Sequence, residues 1–128
     1  MKTRFTVALS MLAGAALGAA AIQGLHAQAK PKAYIITESE VLDARALAAY
    51  IPKLRDVQKA HGARVIIPAG GKVVASVGEP PKRIGVTEYE GVEKAQAYLT
   101  SDARKALAPE REKAVKITRQ FILEGPAN

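Results

Sequence analysis

The sequence predicts an α+β domain, a four-stranded antiparallel sheet with two helical segments on one face, following an N-terminal leader. Three observations carry this reading. β-Branched and alternating runs are interleaved with runs of helical period, their order is strand, helix, strand, strand, helix, strand, and Gly, Pro or Asp stands at the junctions.

The leader comes first. Met1-Lys2-Thr3-Arg4 is basic, and Phe5 to Leu25 carries no charge. Basic residues stay on the cytoplasmic side while the apolar run enters the translocation machinery. Ala27-Gln28-Ala29 supplies the small residues a signal peptidase accepts, which puts cleavage after Ala29; cleavage after Ala27, with Leu25 two positions before it, is the alternative. The uncharged run approaches the roughly 20 residues that span a bilayer, so the other reading is an uncleaved inner-membrane anchor. Its Ala/Gly composition, diluted at the end by Gln23 and His26, favours a removed leader and a periplasmic or secreted product. Gly14 and Gly18 form a GxxxG that such a Gly/Ala-rich run produces by chance. Without Lys2 and Arg4 the formal net charge falls from +7 to +5.

Residues 30–32 form a spacer, 33–125 the domain and 126–128 a tail. Ala33 to Val41 reads as a strand, apolar and β-branched at first and then alternating. Asp43 is placed to cap a helix in which Leu47, Tyr50, Ile51, Leu54 and Val57 recur at helical spacing up to Gly62. Pro52 either kinks this helix or starts a second segment. Arg64 to Ile67 is the second strand, and Gly70-Gly71 turns it into a short extra hairpin strand, Lys72 to Val77. Gly78-Glu79-Pro80-Pro81 ends that excursion. Lys82 to Tyr89 follows, with Ile84 and Val86 on one face and Gly85 and Thr87 on the other. Helix resumes from Val92 to Leu99 and from Asp102 to about Ile117, interrupted at Pro109, and Arg119 to Glu124 is the last strand.

This order is the ferredoxin-like split βαβ pattern, whose right-handed crossovers place both helical segments on one sheet face. The other face needs cover. Ile35 with Ile36, Val65 with Ile66 and Ile67, and Phe121 with Ile122 and Leu123 make several strands apolar on both sides. A second copy laying its sheet there is the simplest cover, so a homodimer is expected.

Composition closes off several function classes. Without cysteine there are no disulfides, thiol catalysis, thiolate metal sites or lipid-modified cysteine. His61 is the only histidine beyond the leader, which rules out a two-histidine metal site within one chain. Lys and Arg alternate with Glu and Asp, and Tyr34, Tyr50, Tyr89, Tyr98 and Phe121 are too scattered for a base-stacking platform, so no nucleic acid is expected. No nucleophile elbow, phosphate loop or dinucleotide fingerprint appears, and no cofactor or metal is expected.

The tracts Ala33-Tyr34-Ile35-Ile36-Thr37-Glu38, His61-Gly62, Gly70-Gly71-Lys72, Gly78-Glu79-Pro80-Pro81-Lys82-Arg83 and Phe121-Ile122-Leu123-Glu124-Gly125 together resemble the family called domain of unknown function 1330. The resemblance covers essentially the whole chain after the leader and implies a dimeric α/β-barrel of ferredoxin-like protomers. The sequence departs from the family in two places: Gly62-Ala63 replaces the usual double glycine, and the second helix, aromatic-rich in the family, carries only Tyr98. The wider superfamily includes cofactor-free monooxygenases and isomerases, so the fold alone decides no activity.

Mapping polar residues onto this topology gives the candidate sites. Glu38 is expected near Arg83 and Arg119 at one edge, either as an anion-holding cluster or as a structural ion-pair network. His61, Glu88 and Glu124 are expected together at the opposite edge, either as an acid/base group or with His61 simply ending a helix. Tyr50 and Tyr98 project from the two helices, as cavity hydroxyls or core aromatics. Arg111 and Glu79 enter only through the resemblance; by themselves they read as surface charges. The function expected is small-molecule binding or cofactor-free acid/base chemistry in a dimeric exported domain, with a non-catalytic dimeric interaction module as the alternative.

Overall fold

The structure, a computed structural model, describes residues 30–127, and the leader expected over 1–29 lies outside the described residues. Pro31–Pro126 is one compact unit. Its elements are β1 (Ala33–Val41), α1 (Ala44–Ala60), β2 (Arg64–Ile67), β3 (Arg83–Tyr89), α2 (Val92–Leu99), α3 (Asp102–Ala106), α4 (Ala108–Ala114) and β4 (Val115–Glu124). The sheet order is β2-β3-β1-β4 with every neighbour antiparallel, which is the ferredoxin-like arrangement.

Local chemistry accounts for the first half. Asp43 is extended and its Oδ1 accepts from the N–H groups of Arg45 (2.9 Å) and Ala46 (3.0 Å), satisfying two donors that an α-helix leaves free at its start. Pro52 neither stops the helix nor divides it: α1 runs through, with Pro52 on the solvent side. Gly62, at φ 77°, adopts the left-handed conformation that closes a helix, and the N–H groups of Gly62 and Ala63 bond to the carbonyls of Lys59 and Gln58.

Two expectations in the second half are corrected. Lys72 to Val77 forms no strand; the connection between β2 and β3 is irregular and mostly exposed. Its course is set before Gly70, where Ala69 packs onto Gly85 of β3 instead of extending the edge of the sheet. The last helical stretch also ends earlier than Ile117. Val115 to Ile117 joins β4, because Val115 pairs with Val41 and Ile117 with Ser39. The expected interruption near Pro109 is present: α3 ends at Ala106 and α4 begins at Ala108, with Pro109 in its first turn, where a missing N–H costs no hydrogen bond.

The helices cover the sheet face that carries Ala33, Ile35 and Tyr89, which with Ala95 and Tyr98 make one core cluster. Tyr50, Ala114 and Val115 make a second, and Leu54 packs against both. The opposite face is formed by Tyr34 and Ile36 of β1, Ile84 and Val86 of β3, and Phe121 and Leu123 of β4, as the register requires. Nothing in the chain's described residues covers it: Phe121 is 41% and Leu123 52% exposed.

Candidate functional site

Between the sheet and the helices lies a cavity of about 180 Å³. Its floor is the helix-facing row of the sheet: Ile35, Thr37 and Ser39 of β1, Gly85, Thr87 and Tyr89 of β3, and Val115 and Ile117 of β4. Helix α1 contributes Leu47, Tyr50, Ile51, Leu54 and Gln58, and α2 contributes Tyr98. Pro68 and Ala69 close the β2 end. Gly85 allows the close approach there: a Cβ at that position would meet the Ala69 Cβ at 3.1 Å, so a side chain would push the connection outward by a few tenths of an ångström.

Three tyrosines form the aromatic part of the wall. The Tyr89 and Tyr98 rings stack at 5.5 Å with 25° between their planes. Burial pushes the phenols of Tyr50, Tyr89 and Tyr98 above the ordinary tyrosine value, with the neighbouring Tyr98 adding to the rise at Tyr50 and Tyr89 and with nearby arginines opposing it. All three are therefore neutral donors around neutral pH. The Tyr89 hydroxyl, on a residue only 1% exposed, has no hydrogen-bond partner among the described residues.

The charged part of the wall has one sign. Arg55, Arg83, Arg104 and Arg111 line the cavity, and among the described residues no Asp, Glu or His does. None of the four is ion-paired among the described residues. Arg83 donates to the Ser39 hydroxyl at 3.3 Å, and its partial burial lowers its pKa by desolvation. Arg104 donates to the Gln120 side chain at 3.1 Å and the Leu99 carbonyl at 3.4 Å, and its guanidinium lies 5.7 Å from the Tyr98 ring centroid. Arg111 Nη1 is buried without any partner.

The residues singled out from sequence divide between three places. Tyr50, Tyr98 and Arg83 line the cavity. Glu38 and Arg119 are on the opposite, open face, where Arg119 donates through Nε and through Nη2 (3.0 Å) in a two-pronged pair. Arg83 is absent from that pair: it lies opposite Ser39, one residue on from Glu38, so the pleat turns it to the cavity side. The Arg119 hydrogen bond holds the Glu38 carboxyl below its usual range, against an opposing effect of burial. The third place is the far end of the sheet. Glu88 is paired to Arg64 at 3.1 Å, and Glu124 is exposed one register row away on the other face, with β1 between their strands. His61 shares a 2.8 Å hydrogen bond between its Nδ1 and the Val57 carbonyl and meets the Tyr98 ring edge-on. No hydrogen bond joins His61, Glu88 and Glu124 to one another. Glu79 is exposed.

Sequence reasoning passed over Tyr89 and Arg104 and took Arg111 for surface charge. For Tyr89 the signal was present: it shares the alternation of Gly85 and Thr87. Among the described residues no group of three or more His, Asp or Glu side chains gathers as a metal ion would require.

Comparison with known proteins agrees with this architecture. A protein of unknown function from Rhodopseudomonas palustris, RPA0582, superposes with a TM-score of 0.61 at 17% identity over 77% of this chain and 85% of its own. Its methylated form gives the same TM-score over 76% and 82%. A putative antibiotic biosynthesis monooxygenase from Chloroflexus aurantiacus matches more loosely, at a TM-score of 0.47 and 18% identity, over 76% of this chain and 95% of its own. At these identities the likeness extends to the fold alone. No curated protein matches the sequence. The sequence pattern of the family described as Domain of unknown function (DUF1330) matches residues 32–126, nearly all of the described domain, and the chain belongs to that family.

Proposed function

We propose that this protein is an exported homodimer that binds a small organic molecule in the cavity of each protomer. The observation that carries the reading is the cavity itself, with aliphatic walls, a stacked tyrosine pair and a few convergent donors. Its lining favours binding over proton transfer. Acid/base catalysis near neutral pH most often uses an imidazole or a carboxylate; the cavity has neither among the described residues, and burial pushes its tyrosine phenols further from neutrality. His61, Glu88 and Glu124 stand outside it.

The open sheet face supports the dimer. An apolar strip from Tyr34 and Ile36 across to Phe121 and Leu123 is bordered by the ion pairs Glu38–Arg119, Arg64–Glu88 and Glu40–Lys82. Each pair is neutral as a whole, so the rim carries no net charge that would oppose a second copy burying the apolar centre. The leader pattern at residues 1–29 supports export to the periplasm.

Native mass spectrometry on protein recovered from the cell envelope tests the proposal. A dimer starting at Lys30 with a small molecule retained on each protomer is expected, and the adduct should disappear in Val65→Phe, which fills the cavity from β2. An adduct unaffected by that variant in a folded protein would place the ligand elsewhere.

A further inference from the structure

Building on the cavity reading above, we infer that the molecule held there is a small monocarboxylate, its anionic end bound by Arg111 and Arg104 and its apolar body lying along the leucine and isoleucine wall. Of the four arginines that line the cavity Arg55 is exposed, but Arg83, Arg104 and Arg111 are half-buried, and among the described residues no carboxylate lines the cavity or pairs with them. Drawing a charge even partly out of water without a partner is unfavourable, and a bound anion would offset that cost.

The donors left over show where that group sits. Arg104 is engaged by neutral acceptors only, and Arg111, whose Nη1 has no partner, is set against the Tyr50 phenol rather than against a carboxylate. These groups share one neighbourhood: Arg104 acts electrostatically on all three tyrosines and Arg111 on Tyr50 and Tyr98. A planar carboxylate suits such a set, since its two oxygens accept from guanidinium and phenol donors together. The phenols stay protonated and so can donate.

Size and wall chemistry define the rest of the molecule. An apolar cavity of about 150 Å³ takes benzene, so about 180 Å³ fits a carboxylate with a single ring or a short branched chain. Leu47, Ile51, Leu54 and Ile117 offer that body an aliphatic surface, and the Tyr89–Tyr98 stack offers it an aromatic one. A dianion or a phosphate ester would leave these walls unused.

Titration calorimetry on the protein expressed from the full sequence tests this, with benzoate and isovalerate as probes and benzamide and isovaleramide as their uncharged counterparts. The acid of at least one pair should bind at least roughly tenfold more tightly than its amide, as expected for charged hydrogen bonds. Arg111→Met should abolish that preference, and Arg111→Lys should restore part of it. Thermal unfolding separates the role from a structural one: without ligand, Arg111→Met should melt close to the parent, because Arg111 makes no ion pair among the described residues and its half-buried stem is replaced by an apolar one. Equal binding of acids and amides overturns the carboxylate assignment and leaves the cavity reading standing. Binding of neither, or of acids unaffected by both Arg111 variants, overturns the inference, and the former sinks the cavity reading with it.

Discussion

Replacing Tyr89 with Phe should make the ligand-free protein more stable. Tyr89 is 1% exposed, its ring is stacked on Tyr98, and its hydroxyl finds no partner among the described residues. Phe keeps the ring and its contacts and removes only the oxygen. Mutational data put the cost of burying a hydroxyl without a hydrogen bond at about 1–3 kcal/mol. The hydroxyl has almost no accessible surface, and at the low end of that range a gain of about 1 kcal/mol is expected. In a domain of this size that raises Tm by about 4–8 °C. Thermal and urea unfolding followed by circular dichroism, on ligand-free protein, measure it. A fall in Tm of similar size would mean that the hydroxyl is satisfied in solution by the protein itself, and the case for a ligand donor at that position would collapse.

Other perturbations probe the rest of the structure. Asp43→Ala should cost about 1 kcal/mol by removing the cap of α1, and a urea midpoint unchanged from the parent would refute that role. Glu38 has a lowered carboxyl pKa, so its pairing with Arg119 stabilises the fold above the unfolded glutamate value, about 4.3, and is lost as pH falls from there through the lower folded value. Glu38→Gln should therefore flatten the acid limb of a stability-against-pH curve, and an unaltered limb would contradict the assignment. Phe121→Glu puts a charge at the centre of the open face and should give monomers by light scattering with the domain still folded; a persistent dimer would locate the interface elsewhere. Gly85→Val should displace the β2–β3 connection and lower ligand affinity, readable by titration and by increased proteolysis near Ala69.

The strands that formed where the residue pattern placed them, Ala33–Val41 and Arg64–Ile67, have strong β-branched runs bounded by turn residues, so local preference and tertiary pairing agree. The errors arose where the two part company. Lys72 to Val77 has the composition of a strand, yet Ala69 docking on Gly85 takes the chain away from the edge it would need to join. Val115-Lys116-Ile117 follows a helical charged run, and its transfer to β4 depends on Val41 and Ser39, which are remote in sequence. The site was legible to the same degree. Tyr50, Tyr98 and Arg83 could be placed from topology, but Arg104 and Arg111 sit in mixed-charge helices whose residues ordinarily face solvent. What marks these two out is the counter-charge they lack, and only packing discloses that.

The edges of the sheet have a consequence for how this protein assembles. β2 is four residues long, bulged after Val65 and ended by Pro68, while β4 at the other edge is broken by a bulge beside Glu38 and Ser39 and carries Lys116 and Arg119. Short, kinked or charged edges are poor templates for another strand. In the dimer proposed here such a sheet would associate through its face, and a face is used up by one partner. Pairing of this kind closes on itself, whereas edge-to-edge pairing would leave a free edge at every step and run on into a filament.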